Sequence, residues 1–452
     1  MYYFDSKYNK TLLYQLDILY TISIAQIQLS DMNLSDTIKN MKSFFKDLSP
    51  LETSQTIVLT LMAILLPFDW QLVMWLIPLL VVICICRIIS AKRIGNPALS
   101  PGSRWALWLM VAYFAYQLLS LLYTSNKEDG LEMIVRRLPI LVFTLCALVS
   151  DSSFLSHNRM RTIMYIFTAA IVVKFFVRAI ISLVLHQKIC ICCVFDPLHH
   201  TYMAMYLIFA LGFIYSELFY HRKEMSRQAL WTLSIVAAII VLYTFFVNSR
   251  TGIVGLIAII CLVVAHWTLR LKQWKRGIAL FFLAAALGTG IHFILPECAR
   301  RLTQTLTEMK EGDTSDARYT IFGSSVKAIG ENGALGVGIG DKDEVLAEIY
   351  EESGKEYAIS AQYNSHNIYL DAMLTMGIPG IALLLLLLGA TTVIAWKQRD
   401  FILLSLLFSF AFCGLFEALL NRQMGIMFMG LFWMMLLSSG KATRDADLTT
   451  IS

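Results

Sequence analysis

Several arginine and histidine residues stand out because each one lies at the start of an apolar segment. A helix N-terminus carries free N–H groups and a partial positive charge, so a cation there is disfavoured unless an anion offsets it. Phosphate suits such a position, because backbone N–H groups and guanidinium forks both match its oxygens. The pattern therefore predicts a site for a phosphorylated ligand where several helices begin. The residues are Arg136, Arg137, His199, Arg250, His366 and Arg422.

A simpler interpretation exists for each cation taken alone, since an arginine at a helix end often extends its charge to lipid headgroups. It applies to Arg422, and also to Arg178, which lies one turn from Lys174 within an apolar segment. Ionisable residues inside a membrane span more often face the bundle interior. Glu417 is then either the counterion of one of these cations or a hydrogen-bonded residue within the bundle.

His366 is the best candidate for proton transfer, because a polar stretch at residues 362–365 precedes it at the predicted membrane surface. If His366 is helical, the spacing of three and seven residues places it on one face with Tyr369 and Met373. A general base must reach the proton that it removes, and histidine is the most common choice. A capping or core histidine is the alternative.

Membrane helices must hold these residues in place. The 452-residue chain is 57% hydrophobic and 15% charged, whereas a soluble domain carries about a quarter charged residues. About 20 apolar residues cross a bilayer, which predicts an all-α polytopic protein of about twelve helices. The predicted helices are 53–68, 70–90, 105–123, 131–150, 161–185, 199–220, 229–248, 252–269, 277–294, 366–390, 401–420 and 425–439.

The basic residues predict the orientation of these helices, because Lys and Arg accumulate in cytoplasmic loops. Both termini are expected inside, with residues 1–50 as a cytosolic extension and 440–452 as a cytosolic tail. Helices one to nine would occupy 53–294 and helices ten to twelve 366–439. The long loop 295–365 between them would lie outside, and loops of this length are usually functional. Helix-like spacing within it predicts a helix over 314–331.

Two further motifs have plain interpretations. Cys190, Cys192 and Cys193 share an outer loop with three histidines, but their spacing does not match structural zinc, and a disulfide, for instance with Cys298, is the simpler expectation. The glycine-rich stretch 336–340 lacks the Gly-Lys-Ser/Thr ending of a nucleotide loop. Tight turns and close backbone approach explain these glycines.

Several motifs together resemble the O-antigen ligase and O-antigen polymerase superfamily. They are Ser249-Arg250-Thr251-Gly252, Arg318, the stretch from Gly333 to Asp341, His366-Asn367 with Tyr369-Leu370, and Gly377-Ile378-Pro379-Gly380. His199, Tyr202 and Glu417 also resemble recurring positions of that superfamily. The likeness covers most of residues 53–438 and is strongest from Asn248 to Gly380.

The resemblance implies a glycosyltransferase-C-like membrane enzyme of the bacterial inner membrane. Its donor would be a glycan on undecaprenyl diphosphate, and its acceptor the lipid A core on the periplasmic face. The expected reaction is an inverting displacement that uses neither metal nor other cofactor. A polymerase, which extends another lipid-linked repeat, and a protein O-oligosaccharyltransferase remain alternatives. Nucleic acid is not expected as a partner.

The resemblance and the residue pattern together assign candidate roles. His366, Arg250 and Arg318 are predicted to be catalytic, with the arginines stabilising the leaving diphosphate. A 12-helix transporter or flippase is the more distant alternative, but such folds show two related halves and a site near mid-membrane. Predicted to bind substrate are Arg136, Arg137, Arg178, His199, Tyr202, Gly338, Asn367, Tyr369, Glu417 and Arg422.

Overall fold

The computed structural model describes residues 43–186, 196, 198–247, 249–271 and 317–439, together with five single positions between 275 and 286. This part of the chain contains helices and no strand. Two short 3-10 helices, Arg222–Glu224 and Leu419–Asn421, accompany the α-helices. The α-helices are α1 (Pro50–Leu65), α2 (Trp70–Ala91), α3 (Pro101–Ser120), α4 (Lys127–Val149), α5 (His157–His186), α6 (His200–Tyr220), α7 (Arg227–Phe246), α8 (Arg250–Leu271), α9 (Ala317–Asn332), α10 (Lys342–Glu352), α11 (Glu356–Ser360), α12 (Ile368–Lys397), α13 (Phe401–Cys413) and α14 (Gln423–Ser438).

Six of the described helices are long and apolar enough to cross a membrane, namely α2, α5, α6, α7, α8 and α12. Three shorter helices, α1, α13 and α14, are also apolar. The described part of the protein is therefore helical, and the protein is a polytopic membrane protein, as the composition predicts. The count of twelve spans stays a prediction, because the ninth predicted helix, 277–294, lies outside the described residues apart from single positions.

Local sequence sets where several helices begin. Ser49 and Glu52 form a capping box at α1, in which each side chain bonds the other's backbone N–H. Asp69 caps α2, and Ser100 followed by Pro101 starts α3. These capped starts fix the positions at which the apolar segments enter the bundle.

The interior of the bundle is built around α6 and α14, almost all of whose side chains are buried. Phe167 of α5 and Phe209 of α6 pack against Phe432, with ring centroids 4.7 and 5.0 Å away. Glycines allow closer approach elsewhere: a Cβ at Gly430 would lie 2.6 Å from the Phe143 ring. Small residues at such contacts are typical of helix packing in membranes.

A break in α12 receives the glycine-rich part of the long loop. Gly377 has φ +63° and ψ −156°, and Pro379 follows it, so the helical hydrogen bonds are interrupted there. The freed carbonyls of Leu374 and Thr375 accept from the backbone N–H groups of Val337 and Gly338, both at 2.9 Å. The break thus exchanges bonds within the helix for bonds to the loop, including one from the Ile378 N–H to the Ala334 carbonyl at 2.7 Å.

The loop helices α9, α10 and α11 pack at the end of the bundle where α4, α6, α8, α12 and α14 begin. We call this the outer end, after the predicted topology. The Asp341 carboxylate, just before α10, accepts from the backbone N–H groups of Ser125 and Asn126, each at 2.7 Å, at the start of α4. The second half of the loop is therefore held against the membrane helices.

The predicted helix boundaries hold within a few residues at most positions, with two exceptions: the helix predicted over 366–390 continues to Lys397, and the next one is shorter than predicted. The helix predicted over 401–420 ends at Cys413, because Gly414 closes it and the chain turns through the 3-10 helix Leu419–Asn421. Glu417 therefore lies in a connecting segment rather than in a helix. The predicted loop helix at 314–331 is observed as α9, and residues 314–316 lie outside the described part.

Candidate functional site

The site centres on a pair formed by His366 and Glu417. The Nδ1 atom of His366 lies 3.4 Å from Oε2 of Glu417. The Glu417 side chain is 6% exposed, whereas that of His366 is 28% exposed and so remains accessible. Burial by itself raises the pKa of Glu417, but the hydrogen bond from His366 and the charges of His366, His199 and Arg422 hold the pKa below its usual value. The carboxylate is thus ionised and can orient the imidazole.

His366 lies before α12 rather than within it. Its φ is +43°, a left-handed conformation that is uncommon for residues other than glycine. The Asn364 side chain accepts from the His366 N–H at 2.9 Å, and Asn367 caps the helix that starts at Ile368. The prediction that His366 shares a helical face with Tyr369 and Met373 is therefore wrong. Such strained backbone is often found at functional sites.

Two arginines and a second histidine surround the pair. The Arg318 guanidinium, at the start of α9, lies 5.8 Å from the ring centroid of Phe416, next to Glu417. Burial lowers the pKa of His199; Glu417 opposes this, while His366, Arg422 and Arg318 lower it further. Glu417 is therefore in contact with His366 and within electrostatic reach of His199 and Arg422, and Arg318 lies over the ring of the neighbouring Phe416. We call His199, Arg318, His366, Glu417 and Arg422 the outer cluster.

Tyr202 lies in the first turn of α6, beside His199 of the outer cluster. Its ring centroid is 6.2 Å from that of His199, and the side chain is buried. The hydroxyl finds no hydrogen-bond partner among the residues that the structure describes. A buried hydroxyl is normally bonded, which makes Tyr202 a candidate for a contact with a ligand.

Arg137 lies in the interior, where protein groups engage its guanidinium. It bonds Oδ2 of Asp371 at 3.1 Å, Oδ1 of Asn421 at 2.5 Å, and the Leu420 carbonyl at 3.0 Å. The other Asp371 oxygen accepts from Lys342 at 2.9 Å and from Asn421 at 2.8 Å. This network ties α4, α10, α12 and the segment before α14 together, so Arg137 fixes the site's framework.

Sequence reasoning missed Lys342, Asp371 and Asn421 as parts of the site. A signal existed for Asp371, because a carboxylate within an apolar segment usually has a functional or structural counterion. The sequence offered nothing that pairs Asp371 with Lys342, which is 29 residues earlier in the chain.

Arg136 faces a cavity at the outer end rather than the interior. Its guanidinium pairs with Glu132 and also bonds the Asn421 carbonyl at 3.4 Å. The cavity has a volume of about 630 Å³ and lies between α4, α10 and α11. Segments 362–364 and 421–422 complete its wall, so Arg422 borders both the cavity and the outer cluster. We call this space the outer cavity.

Arg250 is the first residue of α8 and is partly buried. The starts of α6 and α8 are adjacent, since a Cβ at Gly252 would lie 3.2 Å from the Ala204 side chain. Arg250 is thus at the same end of the bundle as His199. Arg178 and Lys174 of α5 both pair with Asp196, at 2.6 and 2.9 Å.

Three predicted binding residues make contacts that shape the framework. The Gly338 N–H bonds the Thr375 carbonyl, as described for the break in α12. The Asn367 side chain accepts from the N–H groups of Tyr369 and Leu370, and it donates to the Leu415 carbonyl at 3.0 Å. The Tyr369 hydroxyl donates to Ala411 at 2.9 Å. Asn367 and Tyr369 thereby fix the 411–417 segment, and hence Glu417, beside His366.

No group of three His, Cys, Asp or Glu residues that could hold a metal ion occurs within the described ranges. The cysteine-rich loop with Cys190, Cys192 and Cys193, and also Cys298, lies outside those ranges. The disulfide expected there stays a prediction.

A comparison with family models finds that residues 235–385 match a family described as O-antigen ligase. The matched segment contains Arg250, Arg318 and His366 and runs from α7 into α12. The match confirms the resemblance to the O-antigen ligase and polymerase superfamily. No curated protein matches the chain.

Proposed function

We propose that the protein is an O-antigen ligase, which transfers a glycan from undecaprenyl diphosphate to the lipid A core. The observation that carries this proposal is the outer cluster, in which His199, Arg318 and Arg422 from three separate segments surround the accessible His366 and its buried partner Glu417. The family match supports membrane glycan transfer in general, and the cluster supplies groups suited to both a proton and a diphosphate.

His366 would act as the general base. With Glu417 bound to Nδ1, the Nε2 atom is the one that can accept the proton of the acceptor hydroxyl. The hydroxyl oxygen then attacks the anomeric carbon, and the bond between that carbon and the diphosphate oxygen breaks. The electron pair leaves with the diphosphate, the configuration inverts, and Glu417 stabilises the imidazolium that forms.

Cations would stabilise the departing diphosphate. Arg318 and Arg422 lie in the outer cluster, and Arg250 lies at the same end of the bundle. Guanidinium forks match phosphate oxygens, and fixed positive charge where negative charge develops is often a large catalytic contribution. Tyr202 is placed to donate a further hydrogen bond. We infer that these groups do the work that a divalent cation does in other glycosyltransferases.

The proposed orientation puts the outer end at the periplasmic face of the inner membrane, with both termini in the cytoplasm. The excess of Lys and Arg in the loops at the opposite end supports this orientation. The undecaprenyl tail would then lie among the membrane helices, with its diphosphate at the outer cluster.

An O-antigen polymerase or a protein O-oligosaccharyltransferase could use the same cluster, because only the acceptor differs. A transporter or flippase would carry its polar groups near mid-membrane. Here the outer cluster lies at helix ends, which favours chemistry at one surface.

Purified protein, incubated with carrier-linked glycan and no energy source, tests the proposal. We expect the lipid A core to gain the full-length glycan and free undecaprenyl diphosphate to appear. Elongation of the carrier-linked glycan instead would identify a polymerase. Passage of the donor across a vesicle membrane without any transfer would identify a flippase and overturn the proposal.

A further inference from the structure

We propose that the outer cavity binds the accepting end of the acceptor as an uncharged saccharide and disfavours a phosphorylated one. This inference rests on the proposed glycan transfer and specifies the acceptor's chemistry. The cavity borders the outer cluster through Arg422, Tyr363 and Asn364, so a sugar bound in it can present a hydroxyl to His366. Its volume of about 630 Å³ falls within the ~300–1,000 Å³ range of small-ligand sites.

The lining of the cavity has the chemistry that sugar hydroxyls need. A hydroxyl both donates and accepts, so it is bound best where carboxylates and amides stand beside cations. Gln362, Asn364 and Asn421 line the cavity together with tyrosines 350 and 363, and the Asn421 amide itself is bonded to Arg137 and Asp371. The tyrosine rings add apolar surface against which the faces of a sugar can pack.

The charges on the wall cancel. Three cations line the cavity, and three carboxylates line it with them. Arg136 pairs with Glu132, and Lys342 is bound by the buried Asp371. The cations are Arg136, Lys342 and Arg422, and the carboxylates are Asp129, Glu132 and Asp343.

The outer cluster differs from the cavity in this respect. It brings Arg318 and Arg422 together with two histidines and the Glu417 carboxylate. In the cavity, Arg136 is paired with Glu132 and Lys342 with Asp371, so a phosphate there would meet only the shared Arg422 without a carboxylate partner of this kind, and three carboxylates nearby. A diphosphate in the cluster would meet Arg318 as well as Arg422. The two compartments thus sort donor and acceptor by charge.

Tyr350 is a second, independent indication of a ligand. Its side chain lines the cavity and is 1% exposed. Its hydroxyl has no hydrogen-bond partner within the described chain, although neighbouring residues on α10 and α11 are well packed. A buried hydroxyl of this kind is usually satisfied, and a sugar hydroxyl would satisfy it.

The test compares two acceptors that differ in a single phosphate. Transfer is measured with a neutral hexose oligosaccharide and with the same oligosaccharide carrying one phosphate monoester. We expect the neutral acceptor to have a KM at least about tenfold lower, which corresponds to ~1.4 kcal/mol. The Asp343→Asn variant should narrow that preference, because it removes a carboxylate from the wall.

Matched variants separate binding from folding. Glu344→Gln is the matched control for Asp343→Asn, because it changes the adjacent, exposed carboxylate of α10, which does not line the cavity. Tyr350→Phe should raise the acceptor KM about tenfold. Tyr357→Phe removes another loop hydroxyl, one that bonds Thr320 at 2.9 Å, and should leave the acceptor KM unchanged.

The outcomes distinguish this inference from the proposed function. Equal KM values for the two acceptors, or equal effects of Tyr350→Phe and Tyr357→Phe, would overturn the saccharide subsite while leaving glycan transfer intact. A wild-type protein that transfers to neither acceptor nor to the lipid A core would overturn the proposed function itself.

Discussion

At the scale of single residues, the buried carboxylate of Glu417 determines how His366 can act. The carboxylate is surrounded by His199, Arg318, His366 and Arg422. All four were predicted as site residues from their places near helix starts or in family motifs. Glu417 was predicted as a possible counterion. The sequence could identify these residues because charge next to apolar segments is unusual. It could not show which cation Glu417 would bind, because that depends on contacts between distant segments.

Replacing Glu417 with Gln tests the role of the pair. Gln has nearly the same shape but no charge, so the imidazolium formed during transfer loses its stabilisation. We expect the transfer rate to fall, by no more than the ~10²–10⁴-fold that a general base contributes. The rate is measured with purified donor and acceptor. A Glu417→Gln variant that is as fast as wild type would show that the carboxylate has no part in the reaction.

Replacing Arg250 with Lys tests the proposed leaving-group contact. Lysine keeps the charge but cannot form the forked hydrogen bonds of a guanidinium. We expect most of the transfer activity to be lost while the amount of membrane-inserted protein stays normal. Arg222→Lys, at an exposed position in the 3-10 helix after α6, is the matched control and should keep full activity. Near-wild-type transfer by Arg250→Lys would contradict the contact.

At the scale of elements, the loop that carries the site is fixed to the bundle by backbone contacts at glycines. The sequence predicted tight turns and close backbone approach for the glycines of the stretch 336–340. It did not predict the break at Gly377 that receives the segment, because the run from Ile368 to Lys397 stays apolar across Gly377, Pro379 and Gly380, and the span was predicted from apolarity alone. The apolar run that begins at Phe401 likewise continues beyond Cys413, which is why the end of α13 was predicted too late in the chain.

Gly336 and Gly333 provide a matched pair for testing this contact. Both have positive φ, +74° and +69°, so an alanine strains the backbone similarly at each. A Cβ at Gly336 would lie 2.6 Å from the Gly377 nitrogen, whereas a Cβ at Gly333 meets nothing within 4 Å. We expect Gly336→Ala to destabilise the protein by about 1–3 kcal/mol more than Gly333→Ala. Thermal unfolding in detergent measures the difference, and equal melting temperatures would contradict the close approach.

Asp341 gives the docking of the loop a defined pH dependence. Burial alone raises the pKa of Asp341, but the backbone N–H groups of Ser125 and Asn126 outweigh it and lower the pKa below the usual 3.8. A carboxylate whose pKa is lower in the folded state than in the unfolded state stabilises the protein at pH values above its unfolded-state pKa. That stabilisation is lost as the pH falls through the folded-state pKa.

We therefore expect Asp341→Asn to cost about 1 kcal/mol of unfolding free energy at pH 5–8, because a hydrogen bond to a charged acceptor contributes about that much more than one to a neutral acceptor. The gap between variant and wild type should close below pH ~4. Unfolding curves of both proteins between pH 3 and pH 8 provide the measurement. A gap that persists unchanged at pH 3 would show that the carboxylate charge is not what holds the loop.

At the scale of the whole molecule, the apolar composition was enough to predict a polytopic helical protein and the approximate place of nearly every described helix. The arrangement of those helices was not predictable. Arg318 reaches Phe416 and Lys342 reaches Asp371 only because the loop folds back over α12. Such contacts join residues far apart in the chain, and no local spacing encodes them. The predicted orientation and the number of spans stay predictions.

Single-turnover transfer by His366→Ala tests whether the outer cluster is the transfer site. Wild-type protein and the variant are each loaded with purified carrier-linked glycan, and glycosylated acceptor is counted over time. We predict that the variant retains the donor but forms product ~10²–10⁴-fold more slowly. Product formation by His366→Ala at the wild-type rate would show that the outer cluster is not the transfer site.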